Sequence, residues 1–145
     1  MKAILVGPCN VGKTTFVSTL MNRESRAPTY GVDTCHVDEH IILDTSGKPL
    51  YDSIVRRFYK NASILIFMYN SIDTFATIES YVSDFKGNVV LVYYGEDEEF
   101  YELGYLYQIM YGTPCFQCSN PKHTWEQIIE YTTPKTVKRW RYCCA

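Results

Sequence analysis

Residues 7–14 read Gly7-Pro8-Cys9-Asn10-Val11-Gly12-Lys13-Thr14, a complete G-x-x-x-x-G-K-[ST] loop. The apolar run Lys2-Ala3-Ile4-Leu5-Val6 precedes it, and Thr15 to Met21 follows with Phe16, Val17, Leu20 and Met21 at helical spacing. Strand, glycine loop and helix in that order give the string the context of a phosphate-binding loop. Glycines at 7 and 12 let the backbone curl so that successive N–H groups face phosphate oxygens, and the helix N-terminus adds partial positive charge at the same spot. The candidate phosphate contacts are Asn10, Val11, Gly12, Lys13, Thr14 and Thr15. Lys13 supplies a full charge to the outer phosphates, and the Thr14 hydroxyl can ligate Mg²⁺.

Outward from this loop, strands and helices alternate. The patterning predicts strands over 2–6, 33–37, 40–44, 63–69, 88–94 and 114–118, and helices over 13–22, 51–59, 73–86, 97–111 and 123–131. That alternation predicts an α/β fold with a mostly parallel six-stranded sheet flanked by helices. Asp73 is the expected N-cap of the third helix, and Thr124-x-x-Gln127 the expected capping box of the last. Gly112 and Pro114 end the helix between them.

A chain of 145 residues holds one domain with a proper core and no second one. The net charge of −2 gives no basic field for nucleic acid, so none is expected as a partner. Ala3–Val6 is too short for a signal-peptide core, and Ile64–Tyr69 is far below spanning length, so a soluble, cytoplasmic chain with reduced thiols is expected. Cys115-x-x-Cys118 lacks a second pair for structural zinc and reads as a strand. His36-Val37-Asp38-Glu39-His40 matches a zinc-peptidase string, but that chemistry needs a helix, and the flanks read as two strands joined at Asp38-Glu39.

A second constellation follows Ile41-Ile42-Leu43: Asp44-Thr45-Ser46-Gly47. At the C-terminal edge of a strand beside the loop, Asp44 can hold Mg²⁺ through a water, and the Gly47 N–H can approach a γ-phosphate with no side chain in the way.

Together these motifs resemble the Ras-superfamily small GTPases, the Rab branch most closely, over nearly the whole chain and in order. Pro28-Thr29-Tyr30-Gly31-Val32-Asp33 is similar to the Rab switch I segment, Asp44-Thr45-Ser46-Gly47-Lys48 to the family's D-T-A-G-Q, and Phe67-Met68-Tyr69-Asn70 with Asp73-Thr74-Phe75 to its fourth strand and third helix entry. The resemblance implies a P-loop NTPase fold of small G-protein type, GTP or GDP with Mg²⁺ as ligands, and metal contacts from Thr14, Thr29 and, via water, Asp44. It also implies effector, exchange-factor and GTPase-activating partners at residues 26–33 and 45–60.

Several positions depart from the pattern. Eleven positions separate Asp33 from Asp44, fewer than the family usually has, so the second and third strands should form a shortened hairpin. The base-reading N-K-x-D motif is reduced to Tyr94-Gly95-Glu96-Asp97. Asp97 can accept from the two donors on guanine's edge, or can open a solvated helix with Glu96, Glu98 and Glu99. Tyr94 could cover the base. Ser119 and Asn120 stand in the later base-side loop. Lys48 replaces the family's catalytic glutamine. Its ammonium donates but cannot accept the attacking water's proton, so catalysis by Gly47 and Lys48 is expected to be very slow. Lys48 is read either as a solvated charge or as a partner of the γ-phosphate.

The segment 133–145 after the expected domain, 1–132, carries Lys135, Lys138, Arg139 and Arg141 before Cys143-Cys144-Ala145. The twin cysteine resembles Rab ends, which carry two geranylgeranyl groups at such positions, and the alternative is a frayed basic tail. The leading expectation is a Rab-like guanine-nucleotide switch in membrane trafficking with weak GTP hydrolysis. The rivals are a pseudo-GTPase acting as a constitutive docking module and a P-loop enzyme for another nucleotide.

Overall fold

A computed structural model describes residues 1–24 and 28–134. Arg26 and Ala27 of the expected partner segment, and Cys143 and Cys144, lie outside the described residues.

Six strands form one sheet in the order β2-β3-β1-β4-β5-β6. They are β1 (Lys2–Val6), β2 (Val32–Val37), β3 (His40–Thr45), β4 (Ile64–Tyr69), β5 (Asn88–Tyr94) and β6 (Cys115–Cys118). β2 and β3 pair antiparallel, from Val37 opposite His40 to Val32 opposite Thr45, and every other pairing is parallel. The hairpin is short because its turn is only Asp38-Glu39, with Asp38 at φ +51°. His36 and His40 therefore sit on two strands, His36 opposite Ile41, and not on one helix face.

Helices α1 (Lys13–Leu20) and α6 (Pro121–Thr132) cover one face of the sheet; α2 (Asp52–Arg57), α3 (Ile72–Phe75), α4 (Ile78–Val82) and α5 (Glu98–Tyr111) lie toward the other. Alternation along β4 divides the core. Ile64, Ile66 and Met68 join Phe16, Val17, Trp125 and Ile128. Leu65, Phe67 and Tyr69 join Val55, Tyr59, Phe100 and Tyr101. β4 is buried at every position, as a central parallel strand must be. Cys115 and Cys118 are three residues apart on β6, so they fall into opposite layers and cannot chelate together. Burial pushes the Cys115 thiol up to about 11.

Two helix starts differ from expectation, and two expected helices are broken. Ser71, not Asp73, caps α3: its hydroxyl accepts from the Thr74 N–H while the Thr74 hydroxyl accepts from the Ser71 N–H. Asn120, not Thr124, caps α6, accepting from Lys122 and His123, with Pro121 at the first helical position and Thr124 buried inside. The expected helix over 73–86 is two short ones. Between them the Thr77 hydroxyl donates back to the Thr74 carbonyl at 2.7 Å, and Ser80, inside α4, donates to the Thr77 carbonyl at 2.6 Å, bonds that compete with the helical ladder. The region 51–59 likewise divides into a 3₁₀ turn at Pro49–Tyr51, α2, and a second turn at Tyr59–Asn61.

α5 is fixed by one hydroxyl. Tyr69, fully buried at the end of β4, donates to the Phe100 carbonyl at 2.9 Å and accepts from the Gly104 N–H at 3.1 Å. Those two groups stand four residues apart, the spacing at which a helix bonds to itself, so the phenol enters the ladder. A Cβ at residue 104 would lie 2.4 Å from the Tyr69 oxygen and 2.3 Å from Cys115 Sγ. Glycine is what lets α5 approach.

Tyr69→Phe is expected to lower stability by about 1–3 kcal/mol, the two hydrogen bonds together. Gly104→Ala is expected to be destabilising despite alanine's helix propensity, because the helix must retreat. Urea unfolding measures both.

Candidate functional site

Gly12 opens the site. It is the N-cap of α1 at φ +99°, a left-handed conformation, and no side chain caps the helix. The first-turn N–H groups are thus left to the cleft. Lys13 follows, buried, with its ammonium donating to the Gly7 carbonyl at 2.7 Å and the Pro8 carbonyl at 2.6 Å. Two of its three protons are used, and the third is available to an anion. Burial pulls the Lys13 pKa down to about 8; the nearby Asp44 carboxylate and Cys9 oppose that shift.

Three oxygens meet at the loop's far end. Asp44 Oδ2 accepts from the Thr14 hydroxyl at 3.0 Å and from the Thr29 hydroxyl at 3.1 Å. The two threonine oxygens are themselves 3.0 Å apart. Each hydroxyl has one proton, and Asp44 takes both, so that last contact lacks a bonding proton. The other carboxylate oxygen, Asp44 Oδ1, is buried with no hydrogen-bond partner among the described residues. Burial raises the Asp44 pKa, against the Thr14 and Thr29 bonds and the Lys13 charge that lower it. Crowded hard oxygens, an orphaned carboxylate oxygen and a carboxylate only 3% exposed fit a small divalent cation such as Mg²⁺. The three residues come from α1, the segment before β2, and β3.

The facing wall is the end of β3. The Thr45 hydroxyl donates to the Leu5 carbonyl at 2.7 Å, and the Ser46 N–H to the Gly31 carbonyl at 2.8 Å, which ties this wall to the Thr29–Gly31 segment. A Cβ on Gly47 would lie 2.4 Å from the backbone at Pro8 and Cys9, so residue 47 must be glycine for the two loops to close. The cleft between the walls holds about 350 Å³ and is lined by Cys9, Asn10, Gly12, Lys13, Thr14, Thr15, Pro28, Thr29 and Thr45–Lys48.

Val11 turns its side chain into the core, leaving only backbone for a ligand. Asp97, Ser119 and Asn120 do not line this cleft. Asp97 caps α5, its Oδ1 accepting from the Glu99 N–H at 2.9 Å, and Asn120 caps α6. Tyr94 packs its ring on the loop: a Cβ at Gly12 would lie 2.8 Å from Tyr94 Cδ1. A polar tie comes from another strand end, where Asn70 Nδ2 donates to the Asn10 carbonyl at 3.1 Å. Sequence reading missed that tie, and the position of Asn70 at the end of the predicted fourth strand was its signal.

Compared with known families, residues 2–92 match Roc, described as the Ras of Complex, Roc, domain of DAPkinase. The chain belongs to this family of Ras-like GTPase domains, which implies guanine-nucleotide binding. The match spans the loop, Thr29 and Asp44–Lys48, and ends at Val92, before Asp97. Among curated proteins none matches the chain.

Lys13 carries a pH signature. Its folded pKa of about 8 lies below its unfolded value of 10.5, so in between the unfolded chain holds a proton the folded chain lacks, and stability rises with pH. Between pH 8 and 9.5 without nucleotide, wild type is expected to gain stability relative to Lys13→Met. Urea midpoints of both proteins across that range measure the difference.

Proposed function

We propose that this Roc-family chain is a Mg²⁺-dependent guanine-nucleotide switch, Rab-like in its switch segments, with very slow hydrolysis of GTP to GDP. The convergence of Thr14, Thr29 and Asp44 on one point beside the phosphate loop supports this reading most. Loop N–H groups and the third Lys13 proton would hold the phosphates, with backbone from Asn10 to Thr15. Mg²⁺, when bound, supplies charge neutralisation at the phosphate oxygens. Thr29 and the Gly47 N–H would report the γ-phosphate, because each belongs to a segment that closes over the cleft. Lys48 offers no acceptor for the proton of an attacking water, which accounts for slow turnover.

The base side is weaker. Asp97 keeps one oxygen for a guanine edge while the other caps α5, and Ser119 and Asn120 would lie beside it. Should that remaining oxygen fail to discriminate, the pseudo-GTPase reading, a docking module without significant hydrolysis, gains support. We read 1–132 as the G domain and 133–145 as a basic tail. Effector, exchange-factor and GTPase-activating proteins would bind through 26–33 and 45–60, where Tyr30 and Leu50 are exposed at 67% and 78%. No helix among the described residues is long and apolar enough to cross a membrane. Attachment to the cytosolic face of a trafficking membrane would come from two lipids on Cys143 and Cys144, since one chain gives only marginal binding.

GTP or GDP with Mg²⁺ is expected to raise the melting temperature, by about 2.7 kcal/mol of linkage at a hundredfold excess over Kd. ATP should do so less, and Lys13→Ala should abolish the effect. Equal shifts with ATP and GTP would overturn the guanine assignment, and no shift with either would leave the docking module.

Intact-mass measurement on protein from eukaryotic cells should show two prenyl groups, lost in the variant with Cys143 and Cys144 both replaced by Ser. An unmodified mass with soluble fractionation would sink the membrane-switch reading.

A further inference from the structure

Lys48 is exposed and lines the phosphate cleft. Its ammonium lies 5.4 Å from the centroid of the Tyr30 ring, within cation–π range. Among the described residues it makes no ion pair, and Tyr30 has no aromatic partner. We infer that Lys48 and Tyr30 form a clasp that holds the Thr29–Gly31 and Asp44–Lys48 segments closed over the phosphate cleft, and that both are positioning residues for the triphosphate-bound state. This rests on the reading that the cleft takes a nucleoside triphosphate.

The local backbone sets the clasp up. Pro49 disfavours helical geometry at residue 48, and Lys48 is extended at φ −76°, ψ 130°. Its N–H donates to the Ser46 hydroxyl at 3.2 Å, which fixes the start of the stem. The Ser46 N–H in turn holds the Gly31 carbonyl at 2.8 Å, so the two segments are already joined at their base. The lysine crosses from one segment to the other beyond that bond. Tyr30 directly follows Thr29, whose hydroxyl is held by Asp44. Restraining Tyr30 therefore restrains Thr29. A glutamine at residue 48 has no charge to place on the ring, so the substitution that impairs water activation is also the one that makes the clasp possible.

An exposed cation–π contact shifts an equilibrium by roughly two- to fivefold. The test is stopped-flow release of a fluorescent non-hydrolysable GTP analogue and of fluorescent GDP. Wild type is compared with Lys48→Met, Tyr30→Leu, the double variant, and the conservative Lys48→Arg and Tyr30→Phe. Each disruptive single variant should speed release of the triphosphate analogue by roughly two- to fivefold. The double variant should be no faster than either single, because both remove one interaction. Arg and Phe keep a cation and a ring and should retain the wild-type rate, and GDP release should not change. Additive effects, Phe behaving like Leu, or a Lys48→Met effect that persists without the Tyr30 ring would overturn the clasp. If wild type binds neither nucleotide, the proposed function fails, and the clasp is then read in the nucleotide-free protein. There the same four-protein cycle in urea unfolding should show coupling between the two residues, and zero coupling would overturn it.

Discussion

The Asp44 carboxylate, near the end of β3, has one oxygen held between the Thr14 and Thr29 hydroxyls and the other buried without a partner among the described residues. Taking a carboxylate out of water costs several kcal/mol, and hydrogen bonds to a charged group return roughly 1.5–3 kcal/mol each. Two such bonds offset part of that cost and leave one oxygen unsatisfied. α1, the segment before β2, and β3 bring these three side chains together. Lys13, buried close enough to feel the same carboxylate, places a positive charge on the other side of the cleft.

Around that point the sheet acts as a fixed frame. β1 lies between β3 and β4, so the loop after β1 opens at the strand ends from which Asp44 and Asn70 also emerge. In parallel sheets ligands collect at this edge, because every strand there ends next to a helix N-terminus. The uncapped start of α1 fits that role, whereas α5 and α6 are capped by their own Asp97 and Asn120. The same capping distinguishes the two ends of the proposed nucleotide site. On the phosphate side the first-turn donors carry no side-chain cap, and on the base side Asp97 gives one oxygen and Asn120 its amide oxygen to helix caps.

Tyrosines do much of the structural joining. Tyr69 enters the ladder of α5, Tyr93 accepts from the Asp97 N–H, and Tyr94 lies on Gly12. A phenol brings a large apolar surface together with one donor and acceptor, so it can fill a layer and still satisfy a backbone group at its far end. At residue 94 an aromatic face takes up the space above the phosphate loop, while a polar tie to that loop runs from Asn70.

The sequence by itself determined the α/β class, the six strands, the glycine loop before α1 and the strand end at Asp44–Gly47. Each of these is written in local terms: a period-2 or buried run, a glycine where the backbone must curl, a carboxylate at a strand end. It did not determine where the third helix starts and breaks. Ser71, Asp73, Thr77 and Ser80 all have side chains that can cap or compete with a helix, and only their actual partners show which one does. Nor could it decide the contacts of Tyr94, Asp97 and Lys48. Their chemistry allowed a base contact, a cap, a phosphate contact or a solvated charge, and the choice depends on what lies opposite. Gly12 lies opposite Tyr94, the start of α5 opposite Asp97, and Tyr30 opposite Lys48. Tertiary packing decided these contacts because their partners are distant in sequence or depend on a helix end whose position packing sets.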